Sequence, residues 1–182
     1  MTDFLVETTD LLRRTPVVLE ALLVGIDNDW TDTADTANGW RPRDVVGHLI
    51  TGELTNWIPR ATRILEHGTS KAFDPFEREA MFERDRDKRL DDLVAEFGRL
   101  RAENLVRIAD LAKDADLDRR GLHPALGEVT LRQLLATWSV HDLDHVAQVF
   151  AGMAGSHDAD VGPWKVYSGI LLRRDDPAAV PR

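Results

Sequence analysis

The sequence predicts an all-α protein, an up-down-down-up four-helix bundle with long connecting loops and a short C-terminal helix. Three observations predict it. Apolar residues recur at helical spacing in four blocks. No stretch combines sustained period-two alternation with β-branched enrichment. Three histidines, His48, His141 and His145, meet only if the helices that carry the first and the last two run antiparallel.

The first block runs from about Phe4 to Val24 and sets Leu11, Leu12, Val18, Leu19, Leu22 and Leu23 on one side. Pro16 inside it predicts a kink, or a fresh start capped by Thr15, because proline lacks the N–H and crowds the carbonyl four residues back. The second block opens at Pro42, a favoured first helical position. It carries Val45, Val46, His48, Leu49, Leu54, Trp57, Ile58, Ile64 and Leu65 and stops at His67-Gly68. Pro59 predicts a bend near its later third. The third block, about Leu90 to Lys113, repeats Leu90, Leu93, Val94, Phe97, Leu100, Leu105, Ile108 and Leu111. The fourth opens on a capping box, Thr130-Leu131-Arg132-Gln133, and continues through Leu134, Leu135, Trp138, Val140, Val146 and Val149 to Gly152. Trp164 to Leu172 predicts a short final helix. One domain is expected over 1–182, with an ordered core to residue 175 and a fraying tail at 176–182.

Connections at about 25 to 41, 67 to 89 and 114 to 129 are long for neighbouring bundle helices and read as crossovers or functional loops. A chain of 182 residues buries roughly 70% of its unfolded surface and needs no staples. The absence of cysteine excludes disulfides and thiolate metal sites, leaving His, Asp and Glu as ligands. The net charge of -9 repels phosphate backbones and anionic lipid surfaces, so neither nucleic acid nor membrane is an expected partner. The run Glu83-Arg84-Asp85-Arg86-Asp87-Lys88-Arg89 is interrupted by acids and reads as a solvated segment. The N-terminal residues carry no basic, apolar leader pattern, which points to a cytoplasmic location.

His141 and His145, four residues apart on one helix, point the same way and can form two jaws of a metal site. His48 lies six residues into the second helix and supplies a third ligand if that helix is antiparallel to the fourth. The second and third helices are then parallel, and the 67 to 89 stretch is long enough to cross a helix of ~25 residues at about 1.5 Å rise each. The metal would sit toward one end. Three neutral imidazoles leave a coordination position open, as in a catalytic rather than a structural zinc site. Zinc, nickel, iron or cobalt would suit them.

Helical arithmetic puts Asp44, Gly52 and Thr55 near the direction of His48, and Thr137, Gln148 and Gly152 near that of His141 and His145. Gly52 would leave room beside the metal, while Asp44 and Gln148 either orient an imidazole or a bound water, or serve as a helix-start acid and a satisfied core glutamine. The 25 to 41 loop and the segment after Gly152 should border the site, making Trp30, Trp40, Trp164 and Tyr167 candidate walls. Glu53 points about 140° away from His48 and reads as a surface or interhelical residue, which leaves no convincing general base. His67, His123 and His157 are placed outside the site. A zinc protease reading fails because Asp142 stands where the His-Glu-x-x-His base would be glutamate.

Trp40-Arg41-Pro42-Arg43-Asp44-Val45-Val46-Gly47-His48-Leu49, the Thr130-Leu131-Arg132-Gln133-Leu134-Leu135 start and His141-x-x-x-His145-x-x-Gln148 resemble the DinB-like superfamily, also called the bacillithiol transferase-like or YfiT-like metal-binding bundles. Asn56-Trp57-Ile58-Pro59-Arg60, His123-Pro124-Ala125-Leu126-Gly127 and Val161-Gly162-Pro163-Trp164 resemble segments of one branch. The resemblance implies the same helix order, a homodimer, and one divalent metal on His48, His141 and His145. Characterised relatives include thiol S-transferases using bacillithiol or mycothiol and a mycothiol-dependent maleylpyruvate isomerase. The expectation is therefore a metal-dependent enzyme acting on a small-molecule substrate, foremost a thiol S-transferase with a low-molecular-weight thiol as co-substrate. The alternatives are a metal-activated hydrolase and a non-catalytic metal-binding stress-response protein. Arg41 departs from the Ser or Thr that relatives often place as helix cap, a change worth up to ~1 kcal/mol.

Overall fold

The structure, a computed structural model, describes residues 3–36 and 39–174, with side chains described as far as Leu172. The predicted tail at 176–182 and the core boundary at 175 lie outside the described residues.

The first helix, α1 (Asp3–Leu23), runs unbroken through Pro16, so the fresh start at Thr15 does not occur. Pro16 cannot donate to the Leu12 carbonyl. That carbonyl instead accepts from Arg101 Nη1 at 2.8 Å, so the proline's missing bond is made by another helix. The second block is two helices, α2 (Pro42–Thr55) and α3 (Trp57–His67), separated at Asn56. The break precedes Pro59 because the ring crowds, and cannot bond, the carbonyl four residues back, at Thr55. Arg41 is a better cap than its type suggests. Asp44 accepts the Arg41 backbone N–H at 3.1 Å and is gripped by the same residue's guanidinium at 2.9 and 3.2 Å.

The 67 to 89 connection holds a one-turn helix, α4 (Met81–Arg84), and leads into α5 (Leu90–Ala112). The charged run expected to be solvated is clasped to α2. Arg84 donates to the Gly47 carbonyl and Thr51 Oγ1, Asp85 is buried against Arg84 and Lys88, and Arg43 reaches the carbonyls of Asp85 and Lys88. Arg84, Asp85 and Lys88 pair with one another and pack, while Glu83, Arg86, Asp87 and Arg89 stay exposed as expected.

The 114 to 129 connection contains what the periodicity did not show, an antiparallel hairpin of β1 (Arg120–His123) and β2 (Gly127–Thr130). Strands of four residues with half-exposed side chains are too short to register as alternation. His123 Nδ1 accepts the N–H groups of Ala125 and Leu126 and shapes the turn. The predicted capping box then starts α6 (Leu131–Gly155), with Gln133 N donating to Thr130 Oγ1 at 3.1 Å and Thr130 N to Gln133 Oε1 at 2.8 Å. Short helices α7 (Asp158–Val161) and α8 (Gly169–Arg174) flank a 3-10 stretch at Gly162–Tyr167, so the final helix starts later than predicted.

Contacts between helices give their directions. Gly25 N reaches Asp91 and Leu12 O reaches Arg101, so α1 opposes α5. Arg43 meets Lys88 and Glu53 meets Arg101 and Asn104, so α2 parallels α5. Arg132 stacks on Phe4 and Arg101 binds Asp142, so α6 parallels α1 and opposes α5. The order is up-down-down-up. The core has two apolar halves, one around Leu12, Ile108 and Trp138 and one around Leu19, Phe97 and Val149. Between them along the helices lie the buried polar residues Glu53, Arg101 and Asp142, with His48, His141 and His145 at nearly the same depth. Among the described residues, no helix is long and apolar enough to cross a membrane.

Candidate metal centre

Antiparallel α2 and α6 bring the three predicted histidines together. His141 Nε2 lies 3.2 Å from His48 Nε2 and 3.0 Å from His145 Nε2. One ligand atom from each ring lies within 4.8 Å of the others, and no further His, Asp or Glu joins them among the described residues. Because α6 continues to Gly155, His141 falls close to its middle, so the cluster sits deeper in the bundle than an end position.

Two rings are held from behind in a single tautomer. His48 Nδ1 faces the Arg78 carbonyl at 2.9 Å; a carbonyl only accepts, so this nitrogen carries the proton and Nε2 the lone pair. His145 Nδ1 faces Gln148 Oε1 at 2.5 Å, and the amide is oriented by Gln148 Nε2 donating to Asp35 Oδ2 at 3.0 Å. His145 Nε2 therefore also presents a lone pair. His141 Nδ1 is buried without a partner. Two fixed acceptors, His48 Nε2 and His145 Nε2, thus face His141 Nε2 across a gap that a cation fits. Nitrogens sharing a zinc-like ion at about 2.0–2.1 Å stand roughly 3.3 Å apart at a tetrahedral angle, close to the separations here.

The electrostatics agree. Burial, reinforced by the neighbouring His145 and opposed by the bond to the Arg78 carbonyl, lowers His48 to a pKa of about 4. Burial and the other two imidazoles lower His141 to about 2. His145 is lowered by burial, with the Gln148 bond opposing. All three rings are neutral near pH 7, the state in which imidazole ligates a metal.

The walls are aromatic. Trp40 lies 4.7 Å from the His48 ring and 6.2 Å from the His145 ring, Phe76 meets His48 edge-on at 5.5 Å, and Trp57 meets His141 edge-on at 5.0 Å. Of the candidate walls, only Trp40 touches the cluster. Trp30 packs on His157 at 4.2 Å, while Trp164 and Tyr167 are exposed and face each other. Gln148 does orient an imidazole, but Asp44 is committed to Arg41 and the helix start. Gly52 makes room for the Trp57 indole, since a Cβ there would meet Nε1 at 2.9 Å, not for a metal. Gly152 admits the Thr33 carbonyl, 2.9 Å from where its Cβ would stand, and so lets the 25 to 41 loop close over α6. Thr55 and Thr137 bond back to their own helices.

Glu53 is interhelical and fully buried, bound to Arg101, Asn104 and Trp138. Asp142, at the position of a protease base, is locked by two bonds to Arg101. His67 pairs with Glu66, His123 belongs to the hairpin turn, and His157 sits by Asp160, all outside the cluster. Asp35, Trp57, Phe76 and Arg78 were missed. Phe76 and Arg78 had a signal: with α2 and α5 parallel, the crossover must return to the end from which α2 began, past His48.

The sequence model of the DinB superfamily matches residues 11–149, a span containing all three histidines. A solved structure with TM-score 0.70 and 22% identity covers 82% of this chain and 86% of that chain. It is YfiT from Bacillus subtilis, described as a probable metal-dependent hydrolase with an unusual four-helix bundle topology. No curated protein matches the chain.

Proposed function

We propose that this chain, which belongs to the DinB superfamily, is a metal-dependent enzyme that holds one divalent ion on His48, His141 and His145 and activates a small-molecule thiol for transfer to an electrophile. The observation that carries the reading is the convergence of three Nε2 atoms, two of them fixed as acceptors from behind. When bound, the ion would supply Lewis acidity, lowering the pKa of a thiol or water beside it. The residues supply the rest. Asp35 and Gln148 hold the His145 ring, the Arg78 carbonyl holds that of His48, and Trp40, Trp57 and Phe76 exclude water around them.

The thiol reading is favoured over water by the fate of the nearby carboxylates. Glu53 and Asp142 are both taken up by Arg101, and Asp35 meets the cluster through Gln148, so among the described residues no free carboxylate adjoins the histidines to take a proton from water. A thiol of lowered pKa is a nucleophile without such a base. Hydrolysis is the second reading, favoured by the description of YfiT.

Elemental analysis of native protein tests the site. The protein is expected to carry close to one equivalent of a divalent metal, lost in His48→Ala and in the double change His141→Ala with His145→Ala. Full occupancy in those variants would remove the site. Turnover of thiols with a panel of electrophiles, against hydrolysis of the same panel without thiol, separates the two reactions.

A further inference from the structure

We propose that Arg78 determines substrate choice by gripping a carboxylate on the small molecule brought to the histidine cluster. The inference rests on the proposed function and narrows its substrate class.

Arg78 serves the site with both its backbone and its side chain. Its carbonyl fixes His48, and its guanidinium carbon stands 4.7 Å over the ring of Trp40, which in turn lies 4.7 Å from the ring of His48.

No carboxylate pairs with this guanidinium among the described residues, although Glu77 and Glu79 flank it in sequence. Arg43, Arg60, Arg86, Arg107, Arg119 and Arg132 likewise have no acidic partner among the described residues, and Arg78 stands apart from them by its place over Trp40 at the edge of the cluster. In a chain with 32 acidic and 23 basic residues, an arginine without an acidic partner at the edge of a neutral, cation-binding cluster marks where an anion belongs. A guanidinium stacked on an indole keeps its in-plane N–H edge for bidentate bonding. The single charge, flanked by two glutamates, matches a carboxylate monoanion better than a phosphate dianion. The aromatic walls suit the carbon chain joining that carboxylate to the reacting group.

The test uses cobalt-loaded protein, in which thiolate ligation adds a near-ultraviolet band. Mercaptoethanol and a series of straight-chain mercapto acids of increasing length are titrated against wild type, Arg78→Gln and Arg78→Lys. Arg78 is exposed and holds His48 through its carbonyl, so both variants should fold and load cobalt as wild type does. Wild type should bind at least one acid about tenfold or more tightly than mercaptoethanol, the size of one charge-assisted hydrogen bond. Arg78→Gln should bring the two within roughly threefold, the ratio of acid to mercaptoethanol affinity within each protein being the readout, with Arg78→Lys between them. Equal affinities in wild type, or a preference that survives Arg78→Gln, overturns the role of Arg78 while cobalt uptake keeps the histidine site standing. Failure of wild type to take up cobalt overturns both.

Discussion

Two buried polar groups meet on α6 at consecutive residues and are built on opposite logic. Asp142 belongs to a closed cluster in which Arg101 uses all five of its N–H donors. Two go to Asp142, two to Glu53 and one to the Leu12 carbonyl, while Glu53 also accepts from Asn104 and Trp138. His141 belongs to an open cluster in which its Nε2 faces the lone pairs of His48 and His145 Nε2, and its own Nδ1 has no partner. The closed group is complete within the chain and fixes how four helices meet. The open group is not complete within the chain, and its three ring nitrogens are placed to hold a cation. Burial works on both: it raises the Glu53 pKa against the pull of Arg101, and it lowers the three imidazoles.

The largest expected effect comes from breaking the closed group. Arg101→Met strands two carboxylates in the core and should cost about 3–5 kcal/mol, read as a drop in the urea midpoint. Replacing Glu53, Arg101 and Asp142 together by apolar residues of similar volume should recover most of that loss, because the desolvation of all three charges is avoided. If Arg101→Met kept its stability and lost its metal instead, the division between the two groups would be wrong.

Acid should act on the open group. In the unfolded chain the imidazoles take protons below about pH 6.5, whereas in the fold His48 resists to about 4 and His141 further. The unfolded state then binds more protons, so the metal-free protein has its full stability above pH 6.5 and loses it as pH falls toward 4. The slope should approach ~1.4 kcal/mol per pH unit for each histidine. Urea midpoints measured in chelator between pH 7 and 5 read it, and His48→Leu with His141→Leu should flatten it. An unchanged slope in that variant would place the acid sensitivity elsewhere.

What was legible in the sequence divides along similar lines. Helical periodicity, the Thr130 to Gln133 box and the demand that His48 meet His141 and His145 led to the order of the helices, because each is a local pattern or a simple topological constraint. The rest depended on long-range partners. Asp35 reaches Gln148 across 113 residues, and nothing near it announces the bond. Trp57 was read as part of one helix bent at Pro59, whereas it opens a new helix after Asn56 and meets the His141 ring edge-on. Arg101 sits in an apolar stripe with a charge that periodicity alone cannot interpret, since its partners lie on three other helices.

The smallest predicted change tests how the open group is wired. Asp35 Oδ1 accepts the N–H groups of Thr36 and Trp40, and Oδ2 accepts from Gln148. In Asp35→Asn the oxygen is needed by the two backbone donors, so the new amide nitrogen faces Gln148 Nε2, donor against donor. Gln148 relieves the clash by turning its amide over. Its Nε2 then meets His145 Nδ1, which must give up its proton, and the proton moves to Nε2, where it points into the cluster. Metal affinity should fall about ten- to a hundredfold, the size of an outer-partner effect, with the urea midpoint of the metal-free protein nearly unchanged. Gln148→Leu, which removes the acceptor without forcing the wrong tautomer, should lose less. The opposite ranking would mean that His145 is held by position alone and that its tautomer is set by the metal.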